Sequence, residues 1–274
     1  MKLGYAVSGV RFAIDADGSI AQEIARTVMP VSRSAVPRGG PVFAVRSDHG
    51  RFSVFRGRRR LWFAPSKAVL VPWLEAEVVQ WLLGRLRRYV QLHAAAVERR
   101  GRAVVIAGGP ESGKTSLACA LGLAGWHVMS DEVALIEPRS STVASFPRSM
   151  LVKSGTARRL PDLLRVKPHR VVLDDRPTAV RYVSPAFAGD KARGRAAVSA
   201  LAFPVWSRRS SVGAIGERDA LERLLRASFN TASRPALSVD TCVGLVRNAE
   251  LFRVSIGKLR ESARLLSEAV EAGK

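Results

Sequence analysis

Residues 104 to 120 read VVIAGGPESGKTSLACA, and this stretch decides how the rest of the chain is interpreted. Gly108, Gly113, Lys114 and Thr115 fit the G-x-x-x-x-G-K-[ST] spacing of a Walker A phosphate-binding loop (P-loop). The glycines let the chain turn tightly, so that successive backbone amides can surround a polyphosphate. The lysine adds positive charge at the β- and γ-phosphates, and the threonine hydroxyl can reach Mg²⁺.

The sequence on either side of the motif predicts a strand before it and a helix after it. The apolar run 103–107 is typical of a buried strand, and residues 115–121 form a helix that ends by Gly125 at the latest. The positive end of that helix would face the phosphates. A glycine-rich turn without a ligand is the alternative. The predicted ATP-binding residues are Gly108, Gly109, Pro110, Glu111, Ser112, Gly113, Lys114, Thr115 and Ser116.

An acidic pair, Asp131 and Glu132, follows the next predicted strand, residues 126–130. Phosphoryl transfer from a P-loop needs a carboxylate for Mg²⁺ or for activating the nucleophile. We expect this strand to lie next to the loop strand, so that one carboxylate accepts a proton and the other holds the metal. A turn with solvated carboxylates is the alternative. His93, before the loop, is either structural or part of the active site, since histidine often handles protons.

The charge of the chain is strongly positive, at +21 with a pI near 11.4. Nucleic acid is the first partner to consider for such a charge. The arginines, however, are scattered in small groups, and no nucleic-acid-binding motif accompanies them. We therefore do not expect a nucleic-acid partner. A basic surface also suits ATP and an acidic or phosphorylated partner.

The two cysteines, Cys119 and Cys242, lie in apolar segments and are predicted to be buried free thiols. Such thiols are typical of a reducing compartment, which favours a cytoplasmic location. No apolar stretch is long enough to predict a membrane span, and the first residues do not resemble a secretory signal. A homo-oligomer is compatible with the sequence.

The chain is predicted to have a small β-rich N-terminal region, 1–66, and an α/β catalytic domain, 67–274. The first region includes a hairpin with a basic tip, where arginines surround Gly57. A connector from Pro65 to Pro72 leads to a helix over 74–92, although Gly84 and Arg85 interrupt its apolar face. Beyond it we expect a hairpin that enters the loop and a mixed sheet. Residues 147–198 are predicted to be irregular, with short strand candidates at 171–173 and 179–183 and a loop at residues 193 and 194.

Three segments taken together resemble a known family: LHAAAVERRG from residue 92, GGPESGKTS from 108 and GWHVMSDEVALIE from 125. In this order they resemble the HPr kinase/phosphorylase catalytic domain, above all the HPr-kinase-related serine kinases of bacterial peptide-modification systems. The residues that match the family pattern are His93, Gly108, Gly113, Lys114, Gly125, Asp131 and Glu132. The tail of the chain, with its Ser-Phe-Asn segment at 228–230, is also similar to these kinases.

The resemblance implies an α/β P-loop kinase fold, similar to phosphoenolpyruvate carboxykinase in its nucleotide core. It also implies ATP, Mg²⁺ and phosphorylation of a serine hydroxyl. Asp131 would be the general base, Glu132 and Thr115 the metal-binding residues, and His93 an active-site residue, with Lys114 on the phosphates. The chain departs from the family at Trp126 and at residues 146–149, FPRS. The N-terminal region of 66 residues is also shorter than the usual N-terminal domain of the bifunctional enzyme. Because of the FPRS segment and this short region, phosphorylase activity and HPr itself as substrate are not carried over.

The sequence thus predicts an ATP-dependent serine kinase that acts on a protein or peptide, such as a precursor peptide or a small peptide-binding protein. Two other functions stay open. One is a kinase for a small metabolite such as a free amino acid. The other is a nucleotide-binding regulatory module with little catalysis.

Overall fold

The computed structural model describes residues 1–173, 175–189 and 194–273. They form two compact units, each assembled from three segments of the chain. Unit 1 comprises residues 1–86, 147–154 and 163–184, and unit 2 comprises 87–146, 155–162 and 185–274. The domain boundary predicted after residue 66 stays a prediction.

The strands and helices of the described residues are numbered in chain order. The strands are β1 (Lys2–Val7), β2 (Val10–Ala16), β3 (Arg33–Ser34), β4 (Val42–Asp48), β5 (Arg51–Arg56), β6 (Arg59–Ala64), β7 (Val90–Leu92), β8 (Ala94–Arg99), β9 (Arg102–Ala107), β10 (His127–Ser130), β11 (Ala134–Glu137), β12 (Thr142–Ala144), β13 (Met150–Lys153), β14 (His169–Leu173), β15 (Arg176–Val183), β16 (Arg195–Trp206), β17 (Ser211–Ala214) and β18 (Glu250–Ile256). The helices are α1 (Gly18–Thr27), α2 (Lys67–Arg85), α3 (Lys114–Leu123), α4 (Ser154–Arg159), α5 (Glu217–Ala227), α6 (Pro235–Asn248) and α7 (Leu259–Ala272), with a 3₁₀ helix at Pro161–Arg165.

Unit 1 contains a six-stranded sheet in the order β3-β1-β2-β4-β5-β6, in which β2 and β4 are parallel and the other pairs are antiparallel. The predicted hairpin with a basic tip is confirmed, because β5 and β6 pair around Gly57. The segments 147–154 and 163–184 contribute the small sheet β13-β15-β14. The core of the unit is rich in aromatic rings, since Phe12 and Phe43 both contact Trp81 of α2.

The helix predicted over 74–92 is wrong at both ends. The helix α2 begins at Lys67, so that most of the expected connector is helical and Pro72 lies inside the helix. A proline there gives up its own amide hydrogen bond, and the apolar packing of the helix compensates for this loss. The helix ends at Arg85, and Val90–Leu92 pairs with β11 instead. Strand pairing between distant segments thus overrides the local helical spacing of Tyr89 and Leu92.

Unit 2 is organised around a nine-stranded sheet. The sheet is mixed, as predicted. Its strands follow the order β10-β8-β9-β16-β12-β11-β7, while β18 pairs with β16 and β17. The strands β9 and β18 are each parallel to β16, and the other pairs are antiparallel. The structure is therefore mixed α/β.

The loop strand β9 is buried on both faces. Ala103, Val105 and Ala107 belong to an apolar cluster with residues of α5 and α6. Val104 and Ile106 point to the opposite face, because side chains alternate along a strand, and they are fully buried as well. The predicted hairpin β8–β9 is confirmed; its turn residues Arg100 (φ 56°) and Gly101 (φ 82°) both have the positive φ of a type I′ turn.

The predicted position of the acidic strand is wrong by one strand. The strand β10, which ends just before Asp131, pairs with β8 and not with the loop strand β9. The strand β8 lies between them, because it pairs with β9 through the tight turn at Arg100 and Gly101 and with β10 along its other edge. Since β8 is antiparallel to both neighbours, β10 and β9 run in the same direction, and their carboxyl ends lie on the same edge of the sheet.

The other expectations concern the two cysteines, membrane-spanning helices and the range 147–198. Cys119 and Cys242 are buried free thiols, as predicted, and burial raises the pKa of both. Among the described residues, no helix is long and apolar enough to cross a membrane. Within the range 147–198, the strand candidates 171–173 and 179–183 are confirmed as parts of β14 and β15, whereas β13 and α4 were not predicted. The loop predicted at residues 193 and 194 lies partly outside the described residues, because the description resumes at Gly194.

Candidate functional site

The loop between β9 and α3 has a backbone that requires glycine at its last position. Gly113 has φ 103°, in the left-handed region that L-residues rarely adopt. A Cβ on Gly113 would also lie 2.9 Å from Cδ1 of Ile256. At the other end of the loop, a Cβ on Gly108 would lie 2.6 Å from the Ser112 hydroxyl oxygen. The backbone conformation therefore requires glycine at 113, whereas a side chain at 108 would displace the Ser112 hydroxyl.

Lys114 lies inside the loop rather than in solvent, with only 7% of its surface exposed. Its ammonium donates hydrogen bonds to the carbonyl oxygens of Gly108 and Gly109, both at 2.9 Å. Burial lowers the pKa of Lys114, and the carboxylates of Glu132 and Asp131 oppose this shift by favouring the charged ammonium. The loop therefore encloses the Lys114 ammonium, which interacts electrostatically with Asp131 and Glu132.

The first backbone amides of α3 have no carbonyl acceptor within the helix for their hydrogen bonds. The amide of Leu117 donates to Gly113 at 2.8 Å, and the amides of Lys114, Thr115 and Ser116 precede this first helical bond. The hydroxyl of Ser112 is buried and has no hydrogen-bond partner among the described residues. These donors, together with the Lys114 ammonium, fit a polyphosphate, because anions bind where a helix N-terminus and a cation meet.

Three further contacts support the loop, and the sequence predicted none of them. The indole Nε1 of Trp206, at the end of β16, donates to the carbonyl oxygen of Glu111 at 3.0 Å. The guanidinium of Arg159 lies over the same indole ring, 5.1 Å from its centroid. The hydroxyls of Ser116 and Thr156 are 2.7 Å apart. The loop is thus supported by α4 and β16.

The acidic pair lies in a turn that Ser130 stabilises. The hydroxyl oxygen of Ser130 accepts hydrogen bonds from the amides of Val133 (3.0 Å) and Glu132 (3.4 Å). Asp131 is buried, at 3% exposure, whereas the side chain of Glu132 is 46% exposed. The two neighbouring carboxylates therefore have different surroundings, which suits them to different tasks.

His93 lies between β7 and β8 and faces the acidic turn. Its Nε2 is 4.0 Å from Oε1 of Glu132, and its ring stacks on Phe229 with the centroids 5.6 Å apart. The side chain of Asn230 holds Phe229 in this position. Its Oδ1 accepts a hydrogen bond from the backbone N–H of Gln91 at 3.1 Å, and its Nδ2 donates one to the backbone carbonyl oxygen of Tyr89 at 2.9 Å. The Ser-Phe-Asn segment thus positions the histidine.

A cleft of about 480 Å³ opens beside the loop. It is lined by His93, by Gly108 to Pro110 and by residues of α5, including Asp219, Glu222, Arg223 and Arg226. The pair Glu222–Arg226 forms an ion pair at 2.6 Å, and the Arg223 guanidinium lies 5.9 Å from the Phe203 ring centroid. The cleft therefore has mixed charge and offers room for a ligand that continues from the loop.

The structure brings the predicted site residues together in unit 2. Lys114 lies within the electrostatic reach of Asp131 and Glu132, and His93 lies next to Glu132 and lines the cleft beside the loop. Among the described residues, no group of three or more His, Cys, Asp or Glu side chains could hold a metal by itself. Thr115 and Glu132 are the residues that the sequence predicted as metal ligands. Arg148 is buried in unit 1, where its guanidinium donates a hydrogen bond to the Glu75 carboxylate at 3.0 Å.

The sequence analysis did not predict that residues of α5, Trp206, Phe229 and Asn230 contribute to the site. The Ser-Phe-Asn segment was noticed only as part of a resemblance. Nothing in the local pattern of α5 indicates that its polar face, with Arg223, lines the same cleft as the P-loop. Its apolar residues, spaced for helix packing, were the only signal available.

Comparison with known proteins gives only weak structural similarity. No protein-family model matches the chain, and no curated protein matches its sequence. Among solved structures, the chain is similar to the Hpr(Ser) kinase/phosphatase from Coxiella burnetii, with a TM-score of 0.32 and 12% identity. The match covers 66% of this chain and 97% of that chain. A similarity of this size shows no family for the chain.

Proposed function

We propose that this chain is an ATP-dependent kinase that phosphorylates a serine hydroxyl on a protein or peptide, with a P-loop core of the HPr kinase type. The observation that carries the proposal is the buried ammonium of Lys114, enclosed by a glycine loop and adjacent to the Asp131–Glu132 turn. A P-loop alone indicates a bound nucleotide. A carboxylate pair within the field of its lysine is the additional element that phosphoryl transfer needs.

The residues present fit ATP and Mg²⁺. The left-handed Gly113, the unpartnered Ser112 hydroxyl and the first amides of α3 provide a lining of donors without side chains in the way. Residues 108–116 would hold the phosphates. Thr115 and Glu132 would hold Mg²⁺, which supplies charge neutralisation at the phosphate oxygens.

The side chains around the loop have separate tasks in the proposed reaction. Lys114 gives up its bonds to the loop carbonyls and stabilises the negative charge that develops on the phosphate oxygens. Asp131 accepts the proton of the acceptor hydroxyl. Its burial excludes water from that proton, so the carboxylate acts on the acceptor rather than on solvent. His93 keeps Glu132 oriented from the other side of the turn.

The proposal is tested by incubating the protein with ATP, Mg²⁺, a library of serine-containing peptides and a mixture of free amino acids. Mass spectrometry then identifies the phosphorylated product. We expect a phosphopeptide from the native protein and from Lys167→Met, an exposed lysine used as control. Lys114→Met should give none. A phosphorylated amino acid alone would favour the metabolite kinase, and ATP binding without any phosphorylated product would favour a regulatory module.

A further inference from the structure

A second cleft, of about 580 Å³, lies entirely within unit 1 and is separate from the P-loop. It opens between the β5–β6 turn, the loop before β4 and the last turns of α2. The residues that matter for its chemistry are Gly40, Arg56, Gly57, Trp81, Gly84 and Arg85. Gly84, Arg85 and the arginines around Gly57 are the features of the sequence that the kinase site leaves unexplained.

Trp81 provides a rigid aromatic wall for this cleft. Its ring makes edge contacts with Phe12 and with Phe43, each with a centroid distance of 5.7 Å. The guanidinium of Arg85 lies over its face at 5.2 Å from the centroid. The stacking holds the guanidinium plane in a defined place, which reduces the conformational entropy that a bound anion would otherwise have to remove.

The cleft has room for a side chain at position 84, but the residue there is glycine. The residue is helical, without a positive φ, and a Cβ built on it meets nothing within 4 Å. A glycine in a helix lowers stability relative to most other residues. Neither backbone conformation nor packing accounts for this glycine, and its missing side chain enlarges the cleft. Gly57, with φ 62°, adds a second stretch of bare backbone.

The charges of the cleft are positive. Arg56 and Arg85 are the charged residues in its lining, and Arg58, Arg59 and Arg60 follow directly on the exposed hairpin. Glu77 pairs with Arg56 at 3.4 Å, which holds that guanidinium in place while neutralising part of its charge. The complementary ligand therefore carries carboxylates, which a guanidinium binds with two parallel hydrogen bonds.

We propose that this cleft docks an acidic, extended peptide segment of a partner polypeptide. The cleft is wide and open to solvent, whereas pockets for small molecules enclose most of their ligand. An extended chain can place one carboxylate at Arg85, another near the hairpin arginines, and its backbone against Gly57 and Gly84. That this polypeptide is the phosphoryl acceptor rests on the proposed function; the docking itself does not.

The test measures binding without ATP, so that it is independent of catalysis. The probe is a fluorescein-labelled hexaglutamate peptide, followed by fluorescence anisotropy, with a hexaglutamine peptide for comparison. The decisive variant is Gly84→Gln, which fills the cleft without changing the charge. Its matched control is Gly244→Gln, a helical glycine of α6 in unit 2 whose Cβ would likewise meet nothing within 4 Å.

We expect Gly84→Gln to weaken hexaglutamate binding by roughly tenfold or more, with a thermal midpoint equal to or above that of the native protein. Gly244→Gln should bind normally. Arg85→Gln should weaken binding more than Arg51→Gln, which removes the same charge at the far end of β5. Equal affinity of Gly84→Gln and the native protein, or equal losses in the two arginine variants, would overturn the proposal and indicate diffuse attraction to a basic surface. Binding of free glutamate as tight as that of the peptide would overturn it in favour of a small-molecule site.

Discussion

His93 and Glu132 face each other across the candidate site, with Nε2 and Oε1 4.0 Å apart. The two residues are 39 positions apart in the sequence, and the pairing of β7 with β11 brings them together. Both side chains are partly exposed, at 33% and 46%. Asp131, next to Glu132, is buried. The turn therefore separates a solvated carboxylate that faces the histidine from a shielded one.

The first prediction concerns Asp131 as the general base. Asp131→Asn keeps the shape of the side chain and removes its basicity, so phosphoryl transfer should fall by about 10²- to 10⁴-fold. ATP affinity, measured by calorimetry, should change little. The control is Asp240→Asn on the exposed face of α6, which should transfer normally. Unchanged transfer by Asp131→Asn would remove the assignment of this base.

The second prediction concerns Glu132 as the metal-binding residue. Glu132→Gln should raise the Mg²⁺ concentration for half-maximal transfer by roughly tenfold to a hundredfold, as expected when a metal site loses a supporting carboxylate. The control Glu261→Gln, at an exposed position of α7, should leave the Mg²⁺ titration unchanged. If Glu132 serves only to orient His93, the variant will change the pH profile and not the Mg²⁺ dependence, and the metal role is then wrong.

The third prediction concerns pH and follows from the lowered pKa of Lys114. The charged lysine binds phosphate, and the free protein loses this charge at a lower pH than an exposed lysine would. Bound phosphate favours the ammonium and raises the pKa again. ATP affinity should therefore be constant below the pKa of the free protein and fall above it by roughly tenfold per pH unit.

This dependence can be measured by calorimetry from neutral to alkaline pH. Lys114→Arg is the informative variant, because arginine keeps its charge over the whole range. Whatever its absolute affinity, it should lack the alkaline decrease. An equal decrease in both proteins would mean that another group causes it.

The fourth prediction concerns the shape of the loop. Gly113→Ala places a Cβ at φ 103° and 2.9 Å from Ile256, and it should lower the free energy of unfolding by about 1–3 kcal/mol. Gly109→Ala is the matched control, since its Cβ would meet nothing within 4 Å. Urea unfolding of both variants measures the difference. Equal stability of the two would show that the loop can relax around Gly113.

The sequence predicted the parts of the site whose residues are consecutive. The strand β9, the glycine loop and the start of α3 follow from local chemistry, because each glycine and each apolar position is required by its immediate neighbours. The β8–β9 hairpin follows from Arg100 and Gly101 for the same reason.

Contacts between distant segments could not be predicted in this way. Tyr89 and Leu92 continue the apolar spacing of α2, and only the pairing of β7 with β11 makes this segment a strand. The order of strands was missed because a single sequence does not show that β8 lies between β9 and β10. The stacking of Phe229 on His93 depends on the hydrogen bonds of Asn230 with residues about 140 positions away.

The bond from Trp206 to Glu111 also gives the loop an optical reporter. An indole whose N–H is bonded directly to the loop changes its emission when that bond lengthens or when the polarity around it changes. The chain has five tryptophans, and replacing the other four with phenylalanine would leave Trp206 as the single source of this fluorescence. Titrating such a protein with nucleotide would report binding at the loop, without a label and without knowledge of the acceptor.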